Sequence, residues 1–226
     1  MSKRSTAFRA NAVPAQTASG RQRSAQTIAR SSNVKATILE AAARTIGRYG
    51  YAGCSIARVA KKAGIAHGTF YAHFKSQQDM FDELLPTMVD ELLEGIRDVV
   101  YDVSDILELE KAGLKAHIEY LRKHPYAYRV TNEAEVYAPE AYHRCLETIN
   151  RGYTRALRRI IKKLDLAIEP DEERINTMAI IMEAARIQIL QKYGVVGNKV
   201  IDLPQNVIDT YMTFVGAGIN AMLKQA

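Results

Sequence analysis

The chain has 226 residues, 47% of them hydrophobic, and a formal charge of +6: enough length for two small domains or one large one, and enough apolar side chain for a sizeable core. No stretch approaches the roughly 20 apolar residues of a membrane span, and the start lacks the apolar run of a secretory signal. The sequence therefore predicts a cytoplasmic protein with no membrane partner, in which the widely separated Cys54 and Cys145 stay reduced and hold no zinc.

The charge is unevenly placed. Residues 1–32 carry six Lys and Arg and no acid, residues 33–76 carry seven against Glu40 alone, and residues 77–226 carry eighteen against twenty-four acids, a net of −6. Each phosphate neutralised by a cation releases counterions, so nucleic-acid affinity is expected at the N-terminal end and repulsion from DNA at the other. Residues 1–32, rich in Ser, Ala, Gln, Thr and Arg without apolar periodicity, are expected to form a disordered basic arm. The arm reads either as a solvated tail or as a minor-groove reader through Arg21, Arg23 and Arg30. Its acid-free composition also resembles an organellar transit peptide.

Ser31 or Ser32 caps a predicted helix over 33–49, with Ile38, Leu39, Ala42 and Ile46 on one face and Gly50 ending it. In the next stretch, from Cys54 to Met80, Ser55 caps a short helix with Ile56, Val59, Ala60 and Ala63 at helical spacing, and Gly64 ends it where φ > 0 is commonly needed. A second helix follows over 68–75. Phe70 and Phe74 face inward, four residues apart, and leave His67, Thr69, Tyr71, His73 and Lys75 outside, where they can reach DNA.

This order of residues resembles the DNA-binding domain of the TetR (tetracycline repressor) family of bacterial transcription regulators. The residues that carry the resemblance are Ser55, Val59-Ala60, Ala63-Gly64-Ile65, Gly68-Thr69-Phe70-Tyr71 and His73-Phe74, and it covers roughly residues 31–85. Two positions depart from the pattern: Ala66 stands where a capping Ser is usual, and Gln77 where a phosphate-contacting Lys is usual. The resemblance implies DNA contacts from Ser55 and Arg58, phosphate contacts from Thr69, Tyr71 and Lys75, and base contacts from His67, Gly68 and His73.

Ser76 caps the next predicted helix, over 77–102, whose buried stripe is Met80, Phe81, Leu84, Leu85, Met88, Leu92 and Ile96, and Pro86 is expected to kink it. Five more helices are predicted over 105–123, 125–136, 139–164, 171–193 and 204–225, with a short extended piece conceded over 195–203. The segment Met178 to Leu190 is apolar on nearly every face, which calls for burial on two sides. With Val207, Tyr211, Phe214, Val215, Gly218 and Met222 of the last helix, it predicts a homodimer through the last two helices; a thick monomeric core is the alternative.

Half the tyrosines lie between Tyr120 and Tyr153. They read either as half-buried helix contacts or as part of an apolar cavity with a few polar groups, formed by His117, Tyr120, Asn132 and Tyr142 among Met88, Leu92, Leu121, Leu146, Met178 and Met182. The resemblance favours the cavity, since its members usually bind a small, often hydrophobic effector there. Gly216-Ala217-Gly218 matches a dinucleotide fingerprint without the strand that motif needs, and Glu140-x-x-His143 lacks a second copy, so no cofactor, no metal and no catalytic residue is assigned. The expectation is an all-α chain of about nine helices with an arm over 1–32, a helix-turn-helix domain over 33–76 and a ligand-binding and dimerisation domain over 77–226. Its function is a homodimeric repressor that leaves a palindromic double-stranded operator when a small hydrophobic ligand binds. A regulator that only dimerises, and more remotely an α-bundle enzyme or carrier, are the alternatives.

Overall fold

Apolar side chains recur at helical spacing along most of the sequence, and the structure, a computed structural model, is correspondingly all-α. It describes residues 18–164, 170–197 and 199–224, with side chains described over 31–164, 170–197 and 199–223. The chain divides into two units, Met1–Thr37 and Ile38–Ala226. Among the described residues there are nine α-helices: α1 (Ala18–Tyr49), α2 (Ile56–Ala63), α3 (His67–Tyr71), α4 (Gln77–Val100), α5 (Ile106–Lys123), α6 (Ala127–Tyr137), α7 (Pro139–Ile161), α8 (Glu172–Ile189) and α9 (Gln205–Lys224).

In the first unit, α1 begins at Ala18, well before the start expected at residue 33. Ala, Gln and Arg are good helix formers, and these turns carry no apolar period, which is why the helix was expected to start later. Residues 1–17 of the expected arm, and the side chains of Arg21, Arg23 and Arg30, lie outside the described residues.

In the second unit, residues 38–49 of α1 join α2 and α3 in a helix-turn-helix, with Ile38, Ile46, Tyr51, Phe70 and Phe74 almost wholly buried. The helix α4 starts on a strong cap: Ser76 Oγ accepts from the Asp79 amide at 3.0 Å, and the Asp79 carboxylate accepts from the Lys75 amide at 2.8 Å. It buries Met80, Phe81, Leu84, Leu85, Met88 and Val89 and runs through Pro86 without ending. Beyond Pro86 it packs against α5 and α7, and α7 in turn packs on α8. The helix expected to reach Tyr193 ends at Ile189 and passes through a π-helical turn, Leu190–Gly194, into a two-stranded hairpin, β1 (Val195–Val196) and β2 (Lys199–Val200). Gly197 turns the hairpin with φ +59°, so the extended piece expected over 195–203 is a hairpin.

The core of the bundle contains a charge pair. Glu110 on α5 is fully buried, and Arg186 on α8 is 4% exposed. The Arg186 guanidinium donates to both Glu110 oxygens, Nε to Oε1 at 2.8 Å and Nη2 to Oε2 at 2.7 Å. Tyr153 on α7 and Tyr211 on α9 donate to the same carboxylate at 3.0 and 2.7 Å. Burial raises the pKa of both phenols, which keeps them protonated as donors. Glycine at 113 is what admits the guanidinium, because a Cβ there would lie 2.8 Å from Arg186 Nη2.

Removing one partner of such a pair strands a buried charge. Arg186→Met is therefore expected to lower stability by roughly 3 to 5 kcal/mol, while Glu110→Leu combined with Arg186→Met should lose far less. Urea-unfolding midpoints of both single variants and the double variant test this; a double-variant loss equal to the sum of the two single losses would mean that the pair is not coupled.

Candidate nucleic-acid interface and ligand cavity

The helix-turn-helix is built by its caps. Ser55 Oγ accepts from the Arg58 amide at the start of α2, and Gly64 closes the helix in the left-handed region at φ +69°. Ala66 offers α3 no side-chain cap, and α3 ends at Tyr71 rather than reaching Lys75 as expected. The amides of His73 and Phe74 still turn back onto the Phe70 carbonyl, which sends the Phe74 side chain inward, where it is fully buried.

This arrangement leaves Ser55, Arg58, His67, Gly68, Tyr71 and Lys75 exposed and Thr69 and His73 partly so. The His67 ring packs edge-on against Tyr71, with centroids 5.4 Å apart. Nothing lies within 4 Å of where a Gly68 Cβ would be, so the backbone at the start of α3 is open to an approaching surface. Two expected contacts have structural work as well. Ser55 is the α2 cap, and the Arg58 guanidinium lies 4.9 Å over the Tyr49 ring while donating to the Gly53 carbonyl. Lys61 and Lys62 in the last turn of α2 add exposed positive charge.

Helix α6 is bonded directly to this head. Tyr126 donates to Glu40 at 2.6 Å, the Tyr51 amide donates to Glu133 at 2.8 Å, and Gln78 donates to the Tyr137 carbonyl at 2.9 Å. The Tyr51 ring stacks on Tyr137 at 5.3 Å and meets Phe81 of α4 edge-on at 4.7 Å. Close approach depends on Gly47, where a Cβ would sit 2.4 Å from Tyr126 Cβ.

Beyond Pro86, a cavity of about 630 Å³ opens among α4, α5, α7 and α8. Leu92, Leu93, Ile96, Val100, Leu109, Ile149, Ala156 and Ile187 give it an apolar wall. Exposed Arg97, Arg151 and Arg155 stand at its rim, and buried Glu183 and Arg186 lie at its floor with His117 and Tyr153. Partly buried Arg159 also lines it and spans the C-terminal end of α4, donating to the carbonyls of Tyr101 at 2.6 Å, Val100 at 2.8 Å and Val103 at 3.2 Å. A guanidinium there satisfies carbonyls that the helix leaves open and opposes the negative end of its dipole. Burial, reinforced by the Arg186 charge, lowers the His117 pKa to about 3, so its ring is neutral. Burial pushes the Glu183 carboxyl up to about 7, against the opposing pull of Arg186.

Of the ten side chains expected to line a ligand site, Leu92 and His117 border this cavity. The other eight lie elsewhere. Met88, Leu121, Met178 and Met182 are core side chains, Tyr120 donates to the Met88 carbonyl at 3.0 Å, Asn132 is exposed, and Tyr142 and Leu146 are partly buried outside the lining. The tyrosine cluster lies mostly on α6 and the first half of α7, away from this cavity. The signal it obscured is a run of arginines at 151, 155 and 159, four residues apart and therefore on one face of α7. The two thiols are buried, and burial pushes Cys54 to about 12 and Cys145 to about 11.

Residues 38–84 match the family model described as bacterial regulatory proteins, tetR family. Over 87 residues the chain is 33% identical to the transcriptional repressor KstR2 of Mycobacterium tuberculosis, a match covering 38% of this chain and 44% of that protein. The chain spans about half the length of the curated relatives it matches. Its fold is similar to that of FadR from Bacillus subtilis, solved in complex with stearoyl-CoA, with a TM-score of 0.61 at 16% identity over 83% of this chain and 95% of that one. It is also similar to AibR, solved in complex with isovaleryl coenzyme A and operator DNA, with a TM-score of 0.58 at 16% identity over 80% and 97%. The capped α2, the left-handed turn at Gly64, the open start of α3 and the matched residues agree: residues 38–84 form a helix-turn-helix that matches the tetR family of bacterial regulatory proteins.

Proposed function

We propose that the chain is a transcription regulator whose residues 33–76 bind DNA and whose residues 77–226 bind an effector and dimerise. In this reading it is a homodimeric repressor that leaves a palindromic operator when an acyl thioester of coenzyme A enters the cavity. The observation that carries the effector class is the cavity's split character: an apolar wall for a hydrocarbon chain, and a rim of Arg97, Arg151 and Arg155 suited to phosphates. Stearoyl-CoA and isovaleryl coenzyme A, bound by two proteins of similar fold, support the same class here. The small hydrophobic ligand expected from sequence then becomes a ligand with a hydrophobic half and an anionic half.

The dimer is supported by apolar side chains left at the surface of the last two helices, Ile180 and Ile181 on α8 at 49% and 45% exposure and Phe214 on α9 at 71%. Exposed Ala217, Gly218 and Ala221 continue the α9 face with side chains small enough for close helix approach. Two heads in a dimer reach half-sites one turn of DNA apart, about 34 to 36 Å, so a small tilt of each head breaks the register. Helix α4 is the proposed lever. Its first turns carry Met80 and Phe81 beneath the head, its second half borders the cavity, and Arg159 holds its far end. A ligand phosphate at the rim would draw Arg159 off those carbonyls and free α4 to move.

DNA fragments retained by the purified protein identify the operator, on which three variants test this reading. His67→Ala should cost roughly 1 to 3 kcal/mol on the operator and little on random DNA; an unchanged ratio refutes base reading by His67. Gly68→Ala should leave the fold intact or stabilise it by about 0.5 to 1 kcal/mol, because a methyl meets nothing there and helix propensity improves. The same methyl should weaken operator binding by obstructing the approach of DNA. Leu92→Trp should fill the cavity and abolish operator release by decanoyl-CoA while the dimer stays folded. Release at the wild-type ligand concentration would place the effector elsewhere.

A further inference from the structure

The cavity floor holds a polar group that an unsubstituted acyl chain leaves unmet. Glu183 is 8% exposed, and its Oε1 is buried with no hydrogen-bond partner among the described residues. A buried polar atom left unmet is destabilising, so a ligand group that meets it gains affinity. Resting on the reading of this cavity as the effector site, we infer that the ligand is a hydroxylated acyl chain whose hydroxyl meets Glu183 Oε1 at the cavity floor.

The chemistry of the floor selects a hydroxyl over other groups. Arg186 beside Glu183, together with the arginines at the rim, opposes a cationic ligand. A second carboxylate against the Glu183 carboxyl would meet like charge or compete for one proton. A carbonyl can only accept, and a methylene can do neither. A hydroxyl both donates and accepts, so it satisfies Glu183 in either protonation state and can also serve the neutral His117 ring on the same floor. Water can fill that role in the unliganded protein, so a hydroxyl exchanges one hydrogen bond for another, whereas a methylene displaces the water and leaves the oxygen bare. Glu110 and Arg186 are already committed to each other, which leaves Glu183 as the floor carboxyl available to the ligand.

The test is isothermal titration calorimetry of the full-length protein with decanoyl-CoA, 3-hydroxydecanoyl-CoA and 10-hydroxydecanoyl-CoA, and with the three corresponding free acids. At least one hydroxylated member should bind wild type on the order of tenfold tighter than its unsubstituted parent, as one added hydrogen bond to a buried group implies. Glu183→Leu should erase that preference and melt no lower than wild type, because it removes an unmet carboxyl; Glu183→Gln, which keeps a donor and an acceptor, should retain part of it. Equal affinity of parent and hydroxylated ligands for wild type, or a preference that survives Glu183→Leu, overturns the inference. If the free acids bind with the Glu183-dependent preference while the coenzyme A esters do not bind, the acyl-coenzyme A reading fails and the hydroxyl site stands. If no ligand of either series binds at millimolar concentration, both are overturned.

Discussion

The buried Glu110–Arg186 pair is the constraint on which the helical bundle depends. One carboxylate takes hydrogen bonds from Arg186 on α8, Tyr153 on α7 and Tyr211 on α9, so a residue of α5 fixes three other helices in register. Hydrophobic packing is tolerant of small slips, but a buried charge is not: an ångström of displacement forfeits both the Coulomb attraction and the hydrogen bonds. Arg186 and Tyr153 also line the cavity, and the Arg186 guanidinium lies 4.8 Å over the Tyr153 ring. The polar centre that orders the bundle is therefore also part of the cavity lining, which gives the cavity a base held by hydrogen bonds.

The head is held to the bundle by two separate routes. One is α4, continuous from the cap at Ser76 to the Arg159 clamp; the other is α6, whose Tyr126, Glu133 and Tyr137 grip Glu40, Tyr51 and Gln78. If α4 alone moved, the α6 contacts would resist it; if both moved together, the head would turn as a body. Gly47 and Gly50 sit at this second attachment, Gly50 with φ +74°. They let α1 end against α6 at a separation that a larger residue would prevent, so the coupling between the halves is a matter of close backbone contact as well as of hydrogen bonds.

How much of this could be read in the sequence depended on whether the signal was local. Ser55, Gly64 and Ser76 were legible as caps because capping is settled within a few residues, and the bounds of α4 to α9 fell close to expectation for the same reason. The early start of α1 was not legible, because its first turns carry no apolar period. The cavity was legible only in part. Leu92 and His117, expected at a ligand site, border the cavity, while nothing in the sequence marked its Arg151, Arg155 and Glu183 as facing it, because charged side chains on a helix are ordinarily solvated and which face turns inward depends on partners distant in sequence. The Glu110–Arg186 pair, 76 positions apart, had no sequence signature.

The proposed function places two demands on one sign of charge, since it needs cations both for DNA and for an anionic effector. Residues 33–76 carry seven cations against one acid, while residues 77–226 are net acidic and yet set Arg151, Arg155 and Arg159 on a single face of α7. A net acidic bundle disfavours DNA, and the proposal leaves phosphate affinity there to the arginines of the cavity rim. Arg159 holds the α4 carbonyls, and in the proposed mechanism a ligand phosphate competes with them for its one charge. That competition is what would convert occupancy of the cavity into a change at the end of α4. By linkage the proposed effect would be reciprocal: DNA that favours the clamped helix would weaken the ligand by the same factor that the ligand weakens DNA.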